Sequence, residues 1–367
     1  MTFDAPSRVV IGCMTGTSLD GLDAAAVRVG LAAEGDAGRV RAEFLEGFSA
    51  PLGEAAPALR ALASGERLSA QAIAETALAF GRLHARVAGE LASRQGADLI
   101  AVHGQTVYHG PPASWQLMNP WPIAEALRAP VVTDLRGADL AAGGEGAPIT
   151  PMADWVMLRS ATETRCVVNL GGFCNITVLP AGGGPGSVSA RDVCACNQVL
   201  DAVARAGLGA TFDRDGAAAM AGSADAGFVE WFGEALGRQA SAGRSLGTGD
   251  ELDAMAREMA ASASAECVAA SACVAIAGVI AAAVPADADR VLVAGGGVHN
   301  ARLMAELTAA SGAAVASTDT AGLPAAYREA AAMAVLGSLA RDCAAITLQP
   351  VTRHGHRPVR AGLWIEP

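Results

Sequence analysis

The 367-residue chain contains no lysine, and all 26 of its basic side chains are arginine. That absence excludes the lysine of a Walker-type phosphate loop, so any phosphate must be held by Arg, by backbone N–H groups or through a metal ion. Basic residues are outnumbered by 37 carboxylates, the formal charge is -11, and no basic run occurs. Nucleic-acid partners are therefore not expected, because phosphate backbones are bound through clustered cations. The opening residues, MTFDAPSRVVIGCMTG, lack the basic n-region and apolar h-region of a secretory signal, and a cytosolic location with no membrane partner is expected. The eight cysteines have no framework spacing, which fits reduced, mostly buried thiols better than disulfides. Long apolar runs are missing with one exception, Cys267 to Pro285, which is uncharged but built mostly of Ala, Gly and Ser. It predicts a helix buried between two lobes rather than a bilayer span.

What is present is a globular composition, 52% hydrophobic and 17% charged, with 43 glycines to be placed in turns and ligand loops. The length implies two domains or two lobes of one fold. An apolar run, a Gly/Thr/Ser turn and a second apolar run form RVVIGCMTGTSLDGLDAAAVRVG, and RCVVNLGGFCNITVL at 165–179 repeats that hairpin shape. ADLIAVHGQTVYHG near 100 and DRVLVAGGGVHNARLMAEL near 290 each read as a strand ending in a Gly/His loop. The order hairpin, helices, strand and loop thus occurs twice, predicting two similar α/β lobes with mixed sheets whose glycine loops face a central cleft. The expected division is 1–135 with 330–367 for one lobe and 136–329 for the other. Helices are expected at about 55–95, 198–206, 228–239, 250–284, 301–311 and after 327; residues 109–152 read as loop-rich, the tail as irregular, and AGGGPGS at 181–187 as a hairpin turn.

In GCMTGTSLDGLD the glycines permit close backbone approach, Thr15, Thr17 and Ser18 offer hydroxyls, and Asp20 and Asp23 are the pair suited to a hydrated Mg²⁺. An ordinary polar turn explains that loop equally well by itself; NLGGFCN and AGGGVHN beside it favour a nucleotide site. His103 and Gln105 alternate about Gly104 beyond a strand, where a structural hydrogen bond competes with a functional role. TDLRGADLAAGGEGAP gathers Asp134, Arg136, Asp139 and Glu145 around glycines, as a polar-ligand rim or a solvated turn would. Cys166, Cys174, Cys194 and Cys196 match no zinc-knuckle spacing. The stretch RDVCACN, residues 191–197, sets an acid and two cysteines before an apolar helical run.

Together these segments resemble the anhydro-N-acetylmuramic acid kinases, a family of the sugar kinase, Hsp70 and actin superfamily. The likeness rests on MTGTSLDGLDAA, HGQTVYHGP, IAEALRAPVVTDLRGADLAAGGEGAP, VVNLGGFCNITVLP, FDRDGAAAMAGS, VAGGGVHNARLM and STDTAGLPAAYREAAAMAVLGSLA, in order along nearly the whole chain. It implies an RNase H-like, actin-type fold in two lobes and a kinase that uses ATP and Mg²⁺ in the cleft, with a homodimer as the possible assembly. Hydrolytic opening of a 1,6-anhydro ring would be coupled to phosphorylation of O6. By the resemblance Gly16, Thr17, Ser18, Leu19, Asp20, Gly21, Leu22 and Asp23 form the first phosphate loop, and Asn169, Gly171, Gly172 and Asn175 the second. Gly295, Gly296, Gly297 and Asn300 would sit by the adenosine. Thr15, His103, Gln105, Arg136, Glu145, Asn197 and Glu329 would hold the sugar.

The family's base lies in a stretch that usually reads Phe-Asp-Thr-Gly-Pro-Gly-Asn. Here Asp192 and Asn197 match, while Arg191, Val193, Cys194, Ala195 and Cys196 depart from it, and the loss of the glycines is expected to reshape the sugar side. Glu145 stands where the family usually has Gln, adding negative charge near that site. Asp192 is the expected base and anhydro-N-acetylmuramic acid the expected substrate. A different 1,6-anhydrosugar such as levoglucosan, a catalytically inactive nucleotide- or sugar-binding relative, and a hydrolase without ATP are the alternatives.

Overall fold

The computed structural model describes residues 6–16, 19–32, 37–242, 258, 262–356 and 360–367. In chain order its strands are β1 (Ser7–Met14), β2 (Leu22–Gly30), β3 (Ala42–Ala50), β4 (Leu99–Val102), β5 (Gln105–Gly110), β6 (Ala113–Leu117), β7 (Val131–Thr133), β8 (Arg165–Leu170), β9 (Phe173–Leu179), β10 (Ser189–Ala195), β11 (Arg290–Ala294), β12 (Ala314–Ser317) and β13 (Leu363–Ile365). They fall into two compact units. The first is Met1–Arg159 with Gly183–Val188 and Tyr327–Pro367, and the second is Ser160–Gly182 with Ser189–Ala326.

The first unit has the sheet order β13-β7-β4-β1-β2-β3 and the second β10-β9-β8-β11-β12. In the first, β1, β2 and β3 form an antiparallel meander, and β4 and then β7 join parallel to β1. In the second, β8, β9 and β10 form the meander, and β11 and then β12 join parallel to β8. The same order, third-second-first-fourth-fifth, occurs twice, which is the duplicated RNase H-like architecture. A meander arises because short polar turns can close antiparallel strands, whereas each parallel strand needs a crossover long enough to hold a helix.

In the first unit the crossover helix Ala70–Gln95 opens with Ser69 accepting from the Ala72 N–H at 3.2 Å and closes at Gly96, whose φ of 74° suits a residue without Cβ. It lays Phe80, Leu83, Val87 and Leu91 against Ile11, Ile100 and Val102. The alanine-rich helix Arg328–Arg341 also packs on β1, β2 and β4. It lies so close that a Cβ on Gly12 would stand 2.0 Å from the Ala330 carbonyl oxygen.

Several expectations are corrected. The units part at 159/160 and 326/327, not at 135/136 and 329/330, because the helix Thr150–Leu158 packs on the helix Arg328–Arg341. The stretch 109–152 carries the hairpin β5–β6, a helix Trp121–Leu127 and β7 as well as loops, and the tail supplies the edge strand β13. The helix expected over 250–284 is described from Ala265, capped by Ser264, to Ala283; most of 250–261 lies outside the described residues. Rather than lying between lobes, this helix is part of the second unit's own core, where Val268, Cys273, Ile276 and Ile280 join Val168, Leu170, Val291 and Val293. Among the described residues it is the one helix long and apolar enough to cross a membrane, and over half of it is buried in the protein. Residues 191–195, read as loop, form the end of β10.

Candidate active site

In the first unit the candidate residues gather at the carboxyl ends of three adjacent strands, where open α/β sheets bind ligands. Thr15 and Gly16 follow β1, His103 to Gln105 follow β4, and Asp134 to Arg136 follow β7. Thr15 and Gln105 are 3% and 1% exposed, and both keep a buried polar atom, Oγ1 and Oε1, without a protein partner. Buried polar atoms are nearly always hydrogen-bonded, so these two are the ones a polar ligand would satisfy.

Arg136 donates from Nε (3.0 Å) and Nη2 (2.9 Å) to His103 Nε2, and from Nη1 to the Gly146 carbonyl at 2.7 Å. Nδ1 of His103 meets the Gly104 carbonyl at 2.8 Å. Both ring nitrogens of His103 therefore go to protein partners, and its predicted contact with the sugar is not a direct one through nitrogen. Asp139, read as a rim residue, is buried instead: its carboxylate accepts from the Gly146 N–H at 2.8 Å and from the Thr352 hydroxyl at 2.7 Å. Thr352 was missed because nothing local marks it. Glu145 pairs with Arg353 at 3.2 Å on an exposed edge, so its added charge is largely neutralised and solvated.

The hairpin turn between β1 and β2 is held from below. Leu19, at φ 55°, donates its N–H to the Gly16 carbonyl at 3.2 Å and accepts from Arg60 at 2.9 Å. Leu19 and Leu22 were expected at the phosphates, but their side chains are buried in the unit's core and only their backbone remains for a ligand. Thr17 and Ser18 lie outside the described residues. Asp23 accepts from the Ser49 hydroxyl at 2.6 Å, and burial, with Asp20 adding repulsion, raises its carboxyl above the usual range. Two neighbouring carboxylates are a donor set that fits Mg²⁺, a cation that takes one or two carboxylates and otherwise keeps water and phosphate oxygens. Glu329, at the start of the helix Arg328–Arg341, is raised by burial and by Asp23 and Asp154, and lowered by Arg328 and Arg136.

In the second unit Asn169, Asn175 and Asp192 are successive partners across β8, β9 and β10. Directly opposed residues share a face, so the expected base and two expected phosphate-loop amides form one polar row at the hairpin end of the sheet. The opposite face carries Leu170, Cys174 and Cys194 into the core. A bulge at Val193 lies between the pairs Asp192–Asn175 and Cys194–Cys174, and Val193, Cys194, Ala195 and Cys196 are all fully buried. The side chains that replace the family's glycines thus fill core rather than crowd the polar row. Burial pushes the Cys166, Cys194 and Cys273 thiols up to about 12.

The carbonyls of Gly171 and Gly172 accept from the Asn197 and Cys196 N–H groups at 3.0 and 2.8 Å, and Asn197 Nδ2 donates to the Leu170 carbonyl at 3.0 Å. A Cβ on Gly297 would lie 2.6 Å from Leu170 Cβ and 3.0 Å from Asn197 Oδ1, and one on Gly295 2.8 Å from the Leu170 carbonyl oxygen. Two glycine loops and Asn197 therefore form one tightly packed rim in this unit, with Gly296 at its edge. Asn197, expected at the sugar, is a tie within that rim. Asn300 uses its side-chain oxygen to cap the helix Ala301–Ala310 at the Leu303 N–H, 3.0 Å away, so its role is structural at that atom.

A twice-repeated RNase H-like sheet, with a glycine-bearing hairpin and polar residues at the strand ends of each repeat, places the chain in the class of duplicated folds that sugar kinases, Hsp70 and actin share. Residues 8–352 match the family model described as anhydro-N-acetylmuramic acid kinase. The chain is 36% identical over 354 residues to the anhydro-N-acetylmuramic acid kinase of Parasynechococcus marenigrum (strain WH8102), covering 89% of this chain and 91% of that one. With that of Gloeobacter violaceus (strain ATCC 29082 / PCC 7421) it shares 33% identity over 366 residues, 95% of this chain and 96% of the relative. The chain belongs to the anhydro-N-acetylmuramic acid kinase family.

Proposed function

We propose that the protein is a cytosolic kinase that opens 1,6-anhydro-N-acetylmuramic acid with water and transfers the γ-phosphoryl group of ATP to O6, in the service of peptidoglycan recycling. The observation that carries this reading is the polar row: Asp192 is retained at the position of the family's base and stands beside Asn175 and Asn169 at the glycine-rich hairpin.

Asp192 takes a proton from water as the water oxygen bonds to C1 and the C1–O6 bond breaks. The electron pair left on O6 forms the new bond to phosphorus while the bond to the ADP oxygen breaks, so the oxygen that would re-close the ring is captured as a phosphate ester. Thr15 Oγ1 and Gln105 Oε1 hold sugar polar groups, and Arg136 and Glu329 flank them. Backbone N–H groups of the two glycine-bearing hairpins hold phosphate oxygens, in keeping with a chain that has no lysine. Asp20 and Asp23 hold Mg²⁺, which when bound neutralises charge on the phosphates. No covalent enzyme intermediate is required.

The test is to incubate the purified protein with ATP, Mg²⁺ and a panel of 1,6-anhydrosugars, following ADP release and sugar phosphate together. Stimulation by anhydro-N-acetylmuramic acid, with solvent oxygen from labelled water at C1 of the product, is the expected result. ATP binding with no sugar-stimulated turnover would replace the kinase by an inactive binding protein.

A further inference from the structure

His103 sits at the strand-end cluster and carries the most reactive side-chain type in it, yet its surroundings oppose proton transfer. The Gly104 carbonyl, 2.8 Å from Nδ1, is an acceptor only, so Nδ1 must carry the hydrogen. Nε2 then holds a lone pair, and the two guanidinium N–H groups of Arg136 that meet it at 3.0 and 2.9 Å are donors only. Partner chemistry thus fixes the tautomer. A proton on Nε2 would point into two N–H groups of a cation, and no third ring position is left for a substrate.

The charged groups about the pair have the same consequence. Burial is the main influence that holds the imidazole down, at about 3; Arg136 and, more weakly, His109 also disfavour a second positive charge, and the hydrogen bond to the Gly104 carbonyl partly offsets them. Arg136 is itself lowered to about 10 by burial, offset by Glu329 and Asp134. Three of the five guanidinium N–H groups are used on His103 Nε2 and the Gly146 carbonyl. The Gly146 loop is in turn anchored on Asp139, which is held by Thr352. Arg136 is therefore clamped from two sides, on one by a ring at the end of β4 and on the other by a loop pinned through a buried carboxylate.

We propose that His103 is a positioning residue, a permanently neutral acceptor that aims the remaining N–H groups of Arg136 at the sugar substrate. This deepens the kinase reading and rests on it only for the kinetic part of its test. A merely structural histidine would leave Arg136 free to choose its direction, and an acid or base would need an exchangeable proton at Nε2. Neither fits a nitrogen shared by two donors of one cation.

The first test uses the unmodified protein: nitrogen NMR of its histidines between pH 5 and 8. Two imidazoles locked as the Nδ1–H tautomer and largely unresponsive across that range are expected, those of His84 and His103; the one absent from His103→Gln is that of His103, and titration of that signal would overturn the proposal. The second compares His103→Gln, whose amide oxygen can still accept from Arg136, with His103→Leu, which cannot. His103→Leu is expected to lower kcat/KM for the anhydrosugar about tenfold or more with nucleotide affinity unchanged, as loss of a hydrogen bond to a charged group implies. His103→Gln should recover most of the loss and keep the wild-type pH profile. Equal activity of His103→Leu and wild type, or a pH limb that vanishes in His103→Gln, would refute the positioning role. If the wild type turns over no anhydrosugar, the kinase reading fails while the tautomer measurement still decides the state of His103.

Discussion

The Thr352 hydroxyl donates to Asp139 Oδ1 at 2.7 Å across 213 residues of chain, and both side chains are buried. A segment near the carboxyl end thereby holds the loop that carries Gly146 and, through it, Arg136. Thr352→Val keeps the shape and removes the donor to a buried carboxylate. The expected cost is about 2 kcal/mol, the range for a hydrogen bond to a charged group. Denaturant unfolding should show a lower midpoint at unchanged slope, with a raised KM for sugar and an unaltered Kd for nucleotide; an unshifted midpoint would contradict the arrangement.

Asp192 stands opposite Asn175 at the rim of the second unit. Asp192→Asn is nearly isosteric and removes the base, so turnover should fall by about 10²- to 10⁴-fold, the usual contribution of a general base. Nucleotide affinity, measured calorimetrically, should stay within about twofold. An Asp192→Asn protein with wild-type kcat would end its assignment as base.

Arg328 and Asp154 form a fully buried ion pair, with Arg328 Nε 2.9 Å from Asp154 Oδ1. Removing one partner leaves a buried charge alone, so Asp154→Ala is expected to lose about 3–5 kcal/mol. The apolar double replacement Asp154→Leu with Arg328→Met should recover a large part of that in thermal or denaturant unfolding. If the double variant is no more stable than Asp154→Ala, the charge is not what makes the single change costly.

His84 is fully buried in the helix Ala70–Gln95, with Nδ1 2.8 Å from the Phe80 carbonyl and its ring edge-on to Phe80. Burial holds it down at about 4 against an ordinary 6.5. The unfolded chain therefore binds the proton more readily, so this group's effect is absent above about 6.5 and stability is lost as pH falls from there toward 4. In that window His84→Leu should reduce the slope of unfolding free energy against pH by about one proton, about 1.4 kcal/mol per pH unit. An unchanged slope would show that His84 charges in the folded state.

The duplicated topology was legible because NLGGFCN and MTGTSLDGLD are polar, glycine-bearing turns between apolar runs, a pattern set by local chemistry. Asn169 and Asn175 even flank Gly171 and Gly172 so that hairpin pairing brings them opposite each other. The end of β10 was not legible: its residues alternate only up to Asp192, and the bulge at Val193 then turns successive side chains into the core. The unit boundary was missed for a similar reason. The helix Thr150–Leu158 belongs with the first unit through its packing on Arg328–Arg341, which no local signal announces.

Residue order by itself determined the hairpins and, through the missing lysine, that arginine, backbone N–H groups or a metal ion are what remain for any phosphate, since these follow from short-range geometry and side-chain chemistry. Only the tertiary structure decided that the cysteines face the core while Asp192 faces the polar row, that Leu19 and Leu22 are anchors, and that His103, Asp139 and Thr352 act on Arg136. Those outcomes depend on burial and on donors and acceptors far apart in the chain meeting within one unit, and such meetings leave no trace in local spacing.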